Sequence, residues 1–600
     1  MIRLPDIPTD SALARLFRKD ALRAHITWFS LPGGQTLYAP GDPPDQLFFV
    51  RTGRLAAFRR EEGQEPHFLG VIRPGEPAGE MSLVARAPHS AEVVALRDSE
   101  IFALPADIFF EACDADASVM TELARLMILR TRQAASRGTV GEPSVFGFTP
   151  AGRPGPLRLL VENIALEIGR LGYTAEVIGS EAASAPTEWF SEVERTHDFV
   201  LYVAEADEGG WRQSVTRQVD RLFLVGRGDR RPPAASRPVV GPLQQQQLVD
   251  LILVQPKDCR FPSGSEAWLS ATEATRVFHV RREDVRGVQR LARVLTGQAV
   301  GVVLSGGGAR AYAHIGAIKA LRERGVPIDF VCGVSMGGII GAGVAMGWHD
   351  DELDRRIHAA FVNSSPLADI ALPILAMTRG VQVAERLAEH FGDTDIADLW
   401  LPYFCLSANL TTGAYHMHRR GRLRDALRAS AALPGVVPPA TEGEDVLVDG
   451  AVMKNFPADV MRAGHQGVII GVDVSGSRNI TADDVARPKS AWRWVFSGQW
   501  RKGPPIVSLL MRAATVSTGR DLAAAREATD VLIQPETGQI EIRDWSAYRP
   551  AVAEGYRATL GALDRLDRAA QALRRRLSLK EQAAALAQES GAHPHKRHAR

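Results

Sequence analysis

The stretch that most constrains the fold of this chain is 301–350, which reads GVVLSGGGARAYAHIGAIKALRERGVPIDFVCGVSMGGIIGAGVAMGWHD. It contains two short apolar runs, each leading into a glycine-rich turn and then into a helical pattern. Val302, Val303 and Leu304 read as a buried strand that enters Gly306, Gly307 and Gly308. From Tyr312 to Arg324 the apolar residues Ile315, Ile318 and Leu321 recur at helical spacing. Ile328, Phe330 and Val331 read as a second strand, which runs into Gly333-Val334-Ser335-Met336-Gly337 and a helix of small residues.

Each turn suggests a chemistry. The second has the G-x-S-x-G spacing of a nucleophile elbow, where a sharp strand-to-helix turn strains the serine backbone and exposes its hydroxyl. Gly333 and Gly337 spare the turn a Cβ that would clash with strand and helix, and the helix behind Ser335 directs its positive end at the reacting centre. With 54 glycines in the chain, the same spacing also fits an ordinary glycine-rich turn. The first turn places the bare N–H groups of Gly306, Gly307 and Gly308 before a helix, which suits a phosphate or the oxyanion of acyl transfer. A phosphate loop is disfavoured, because there is no G-K-[ST] ending and no acidic ribose-binding residue at the required spacing. Arg310, beside this turn, fixes the loop, attracts an acidic lipid head group or makes an ordinary surface salt bridge. The apolar run Val446-Leu447-Val448 ends in Asp449-Gly450-Ala451, which reads as an ordinary turn or as the source of a base.

Taken together, Gly306-Gly307-Gly308-Ala309-Arg310, Gly333-Val334-Ser335-Met336-Gly337 and Asp449-Gly450-Ala451 resemble the three signatures of the patatin-like phospholipases. The run Ala429-Ser430-Ala431-Ala432-Leu433-Pro434 with Pro438-Pro439 is similar to the segment preceding that family's Asp strand. The resemblance implies a Ser–Asp dyad with Ser335 as nucleophile and Asp449 as base, and an oxyanion loop at Gly306 to Gly308 with Arg310 beside it. The implied activity is hydrolysis of phospholipid or lysophospholipid acyl esters. The chain departs from the family pattern at Ala311, where glycine is usual. Two alternatives stay open: a Ser–Asp–His triad using His465, which follows Asp449 in the order of an α/β-hydrolase, and a ligand-sensing scaffold without catalysis.

At 600 residues the chain is long enough for several domains. Residues 1–137 show short alternating strands broken by glycines, as in a small antiparallel barrel or jelly roll. They resemble a cyclic-nucleotide-binding domain, with the run Met120 to Arg132 as its C-terminal helix. Pro77-Ala78-Gly79-Glu80-Met81-Ser82-Leu83 is similar to the start of that family's phosphate cassette. The resemblance implies Glu80 at a ribose hydroxyl, Ser90 at the phosphate and a cyclic nucleotide as candidate ligand. This chain has His89 where the cassette normally has arginine, and Arg86 is the nearby substitute.

Residues 138–156 are rich in Gly, Pro and Ser and read as a linker. Residues 157–296 alternate helix and strand patterns, as in an open α/β spacer domain: a helix at Leu159 to Leu171 and strands at Ala175 to Ile178, Phe199 to Val203, Leu222 to Val225 and Leu251 to Val254. The order of sensor-like domain, spacer and patatin-like domain (297–560, α/β/α) resembles the bacterial relatives of neuropathy target esterase. Ala491 to Lys502 interleaves Trp492, Trp494, Phe496 and Trp500 with cations. It is either a lid or an anchor to a peripheral membrane surface. Residues 561–600 read as a helical basic tail.

The net charge of +1 gives no case for nucleic acid as a partner. The four cysteines are far apart, without disulfide or metal spacing, so no cofactor or metal is expected. The N-terminus lacks an apolar signal core, and the glycine-rich run Val331 to Trp348 makes a poor membrane span. A cytoplasmic protein, peripheral on the inner membrane face at most, is expected.

Overall fold

The computed structural model describes residues 24–59, 67–72, 74–135, 144–152, 155–205, 209–233, 248–364, 369–371, 376–465, 467–475 and 519–568. It divides into two compact units, Met1–Gln298 and Ala299–Arg600.

The first unit opens with an antiparallel six-stranded sheet around two long strands, Gln46–Arg59 and Glu92–Pro105. Their register slips on both sides of Gly53, which has φ +93° and where a Cβ would lie 2.2 Å from Ser99 Oγ. The slip bends the long pair, as a bulge does, and lets the two strands curve with the jelly roll. Leu47, Phe49, Phe102 and Leu104 pack on Phe109 from the helix Ala106–Ala115. The next helix, Ala117–Ala135, contains the expected Met120 to Arg132 run.

A parallel six-stranded sheet follows in the same unit, in the order Arg276–Arg281, Leu248–Gln255, Arg221–Arg227, Val145–Pro150, Phe199–Val203, Ala175–Ile178. This corrects the linker expected at 138–156, because Val145–Pro150 is a fully buried inner strand. Its six residues carry too little pattern to stand out between glycines and prolines. Gly147 belongs there for packing, since a Cβ would meet Val215 and Val219 side chains at 3.0 and 3.1 Å. Inside this unit Arg54 Nη1 donates to Asp220 Oδ2 at 2.5 Å, and that oxygen also accepts the Ser144 and Val145 amides. The jelly roll and the α/β layer are thereby tied through a partly buried ion pair.

The second unit is built on a mixed eight-stranded sheet. Its centre is parallel: Tyr403–Asn409, Phe330–Val334, Val300–Leu304, Val468–Val472 and Val531–Ile533. Its other edge is antiparallel, with Asp445–Asp449 and Ala414–His418 both pairing with Tyr403–Asn409 and Ala440–Glu442 closing on Asp445–Asp449. Val302, Val303 and Leu304 are fully buried, as strands covered on both faces must be, which is why their sequence is apolar without alternation. The helix Met336–Ala345 is buried along its whole length. Only small residues allow this: a Cβ on Gly343 would lie 2.5 Å from the Trp348 ring.

The aromatic and basic stretch 491–502 lies outside the described residues, as does the tail beyond 568. Of the helical tail expected at 561–600, residues 561–568 are described, as the end of a helix that runs over 548–568, and Leu563 there packs on the core. Among the described residues no helix is long and apolar enough to cross a membrane.

Candidate active site

The two glycine turns and the Asp-Gly turn converge at the carboxyl ends of the central strands, the usual position for a crevice in an open α/β sheet. Phe330–Val334 ends at Ser335, whose φ of +54° and ψ of −129° are strained for a non-glycine residue, at a cost of about 1–3 kcal/mol. The surroundings account for both elbow glycines. A Cβ on Gly333 would lie 2.6 Å from the Gly337 backbone, and one on Gly337 would lie 2.4 Å from the Ser305 carbonyl oxygen. The strand and helix are in backbone contact, and a side chain at either position would separate them.

Ser335 Oγ donates to Asp449 Oδ2 at 2.6 Å. Asp449 is almost fully buried, and its Oδ1 accepts the Ala451 amide at 2.9 Å. Burial pushes its carboxyl up to about 6, against the hydrogen bonds from Ser335 and Ala451, which favour the ionised form. A carboxylate in this environment is a stronger base than an exposed aspartate. Gly450 follows because a Cβ there would lie 2.5 Å from the Leu406 carbonyl oxygen.

Ser430 takes a part that sequence reasoning did not assign to it. Its buried Oγ accepts the amide of the strained Ser335 at 2.9 Å. Two residues on, the Ala432 carbonyl accepts the Asp449 amide at 2.9 Å. The segment 430–432 therefore holds the backbones of both partners. The only signal for it in the sequence was the Ala-Ser-Ala-Ala run itself.

The glycine loop lies against the nucleophile, with a Cβ on Gly306 reaching within 3.3 Å of Ser335 Cβ. The expected roles within it separate. The Gly306 amide donates to Asn455 O, the Ala309 amide to Ile542 O and the Arg310 amide to Gly307 O. Among the described residues, the amides of Gly307 and Gly308 are the two in this turn not taken by a protein acceptor. Gly308 has φ +56°, and a Cβ there would lie 2.2 Å from the Ile542 carbonyl oxygen. Arg310 is buried and its Nε donates to Ile540 O at 2.7 Å, so it anchors the neighbouring 540–542 loop. Ala311 is fully buried in the turn Gly308–Tyr312. His314 was also missed; its Nε2 donates to the Ser305 carbonyl at 2.8 Å, and burial lowers its pKa to about 4, leaving it neutral.

His465 is not brought to this site. It is buried beside Phe330 and near Val468 O, and its ring lies 3.2 Å from a Cβ placed on Gly301. Gly301 pairs with Phe330, and Leu304 with Gly333. His465 therefore sits at the amino ends of these strands and Ser335 at the carboxyl ends, five residues past Phe330 and roughly 16 Å away along the sheet. The triad alternative is corrected on this ground.

In the first unit Glu80 is buried at the start of the helix Glu80–Ala85, after Gly79 at φ +85°. Ser90 is exposed. His89 is buried and stacked on Tyr38 with centroids 3.8 Å apart, and burial lowers its pKa. The guanidinium of Arg86 lies 5.4 Å from the Phe110 ring centroid. Where the resemblance expects an arginine the chain has His89, stacked on Tyr38.

Comparison with known proteins agrees with this architecture. The patatin-like phospholipase family matches residues 302–462, the cyclic nucleotide-binding domain matches 28–116, and the neuropathy target esterase family P-loop like domain matches 171–293. An uncharacterized NTE family protein of Mycobacterium bovis is 31% identical over 550 residues, covering 89% of this chain and 91% of the relative. Patatin-like phospholipase domain-containing protein 7 of Mus musculus is 28% identical over 555 residues, covering 80% of this chain and 40% of its own length. A solved cyclic nucleotide-binding domain from Methylobacillus flagellatus is 23% identical, covers 20% of this chain and 68% of its own, and has a TM-score of 0.19. The chain belongs to the neuropathy target esterase (NTE) family, with a cyclic-nucleotide-binding-like jelly roll, an α/β layer and a patatin-like domain in one polypeptide.

Proposed function

We propose that the chain is a lipid ester hydrolase that cleaves phospholipid or lysophospholipid acyl esters through a Ser335–Asp449 dyad and an acyl-enzyme. The observation that carries this reading is the 2.6 Å hydrogen bond from the Ser335 hydroxyl to the buried Asp449 carboxylate. In the acylation step Ser335 Oγ attacks the ester carbonyl carbon while Asp449 takes its proton. The carbonyl oxygen becomes an oxyanion, which in this reading accepts hydrogen bonds from the amides of Gly307 and Gly308, left without a protein acceptor among the described residues. The alcohol leaves with the proton held by Asp449. Water then attacks the acyl-enzyme, Asp449 takes a proton from it, and fatty acid and free Ser335 are released. An aspartate is a weak base for an alcohol, so the oxyanion donors carry much of the barrier reduction, typically about 3 kcal/mol for each donor.

The reading has a pH signature. Asp449 must be ionised to accept the proton, and burial holds its pKa at about 6. The value of kcat/KM should rise with pH through that region and level off above it, since the free enzyme's base governs this parameter. A profile already flat at pH 4, near the ordinary aspartate pKa, would place the base elsewhere. The neutral His89 leaves the jelly roll without the bidentate charge that holds a cyclic phosphate. The same hydrolysis rate is therefore expected with and without millimolar cyclic AMP, and a nucleotide-dependent rate would reveal coupling between sensor and hydrolase.

A further inference from the structure

We infer that His416, His418 and Glu442 form a binding site for a divalent transition-metal ion of the zinc class, on the edge of the sheet that carries Asp449. The three ligand atoms lie within 4.8 Å of one another. His416 Nε2 is 3.5 Å and His418 Nδ1 4.0 Å from Glu442 Oε2. Tetrahedral ligation at zinc-like bond lengths needs donors roughly 3.4 Å apart, so small side-chain rotations complete the cage.

The strand geometry supports the site. His416 and His418 are two apart on the strand Ala414–His418, so both rings leave the same face, and their centroids are 4.6 Å apart. Glu442 arrives from Ala440–Glu442, at the end of the neighbouring hairpin. The second nitrogen of His418, Nε2, is 2.9 Å from the buried Ser407 Oγ. Histidine ligands are commonly oriented this way, with the far ring nitrogen bonded to a protein partner so that the near one faces the metal. Ser407 is the register partner of both His416 and Asp449, which puts the site's outer support in the row of residues that holds Asp449.

The donor set narrows the ion. Two imidazoles and one carboxylate suit Zn2+, Ni2+ or Cu2+, whereas Mg2+ and Ca2+ require a shell of oxygens. The sequence does not advertise the site, because its cysteine spacing is uninformative and its histidine pair meets the glutamate only through the sheet. Three protein ligands leave one coordination position for water. His416 and Glu442 are partly exposed, so an ion has access. Bound there, it would pin the edge strand Ala414–His418 to Ala440–Glu442.

The test uses the full chain with the tail histidines replaced, His593→Ala, His595→Ala and His598→Ala, so that they do not compete for metal. Chelator-stripped protein is titrated calorimetrically with zinc chloride, and magnesium chloride serves as the contrast. One zinc per chain and no magnesium uptake are expected. His416→Ala and Glu442→Gln, whose side chains are partly exposed, should each keep the wild-type circular dichroism and weaken zinc binding at least about tenfold. Ser407→Ala should weaken it by roughly 10–100-fold through loss of the histidine's support. Absence of saturable zinc binding, or zinc binding undiminished in His416→Ala and Glu442→Gln, overturns the assignment. Lysophospholipid hydrolysis is not the readout, so the result stands apart from the fate of the Ser335–Asp449 reading.

Discussion

Asp449→Asn and Ser335→Ala are each expected to reduce fatty-acid release from lysophospholipid by roughly ten thousand-fold or more. The Asn side chain has nearly the shape of Asp and still offers an oxygen to the Ala451 amide, so the turn at Gly450 is kept. It cannot take a proton from Ser335 Oγ, which in the wild type donates to Asp449 Oδ2 at 2.6 Å. Ser335→Ala removes the attacking oxygen and leaves the elbow glycines in place. Because the two residues act on one proton and one bond, the double variant should be no slower than the worse single variant. His465→Ala is the matching control and should retain activity, since His465 packs on Phe330 away from the elbow. The assay is fatty-acid release from a lysophospholipid panel, with circular dichroism of each variant to check folding. An Asp449→Asn enzyme near wild-type rate would end the dyad reading, and loss of activity in a folded His465→Ala protein would bring a histidine back into the mechanism.

The second large effect is on stability. Gly337→Ala places a methyl 2.4 Å from the Ser305 carbonyl oxygen and 2.6 Å from that of Leu304. Both obstacles are backbone atoms of the loop and strand that carry the oxyanion turn, so no side-chain rotation relieves the overlap. The helix Met336–Ala345 must move off the sheet, and a loss of about 3 kcal/mol is expected, at the upper end for overpacking a core. Gly443→Ala is the comparison. Gly443 has φ +59° but open space around a Cβ, so only the left-handed backbone penalty of about 1–2 kcal/mol applies. Thermal melts of both variants should separate the two costs, with Gly337→Ala melting lower and losing hydrolysis. Equal melting temperatures would mean that the close approach of helix and strand at Gly337 is not a constraint.

Part of this architecture was legible from residue order because its determinants are local. Glycines at 308, 333 and 337 mark places where backbones touch, and those at 306 and 307 make room for the Asn455 and Val474 side chains, so the requirement is written at each position. The apolar runs Val302–Leu304 and Phe330–Val331 announce strands covered on both faces. The strand Val145–Pro150 was not legible, since a short apolar run among glycines and prolines reads as a linker until Phe199–Val203 and Arg221–Arg227 pair on either side of it. The strand Arg276–Arg281 hides for a related reason: arginines stand at both ends, and only its middle, Phe278 to Val280, is buried.

The amino-acid sequence by itself determined the two strand–turn–helix units and the serine between glycines, because periodicity and glycine placement are properties of neighbouring residues. The order of sensor-like, α/β and patatin-like parts was legible through the resemblance of their motifs to known families. Tertiary structure alone decided which distant groups meet. Pairing of Asp445–Asp449 with Tyr403–Asn409 carries Asp449 to Ser335 and leaves His465 at the far strand ends. The loop at 540–542 claims Arg310 and the Ala309 amide. Ser430 reaches the Ser335 amide across 95 residues of chain, and Glu442 reaches His416 and His418 only where the sheet's edge strands close together. These contacts depend on register and curvature across the sheet, which no window of sequence contains.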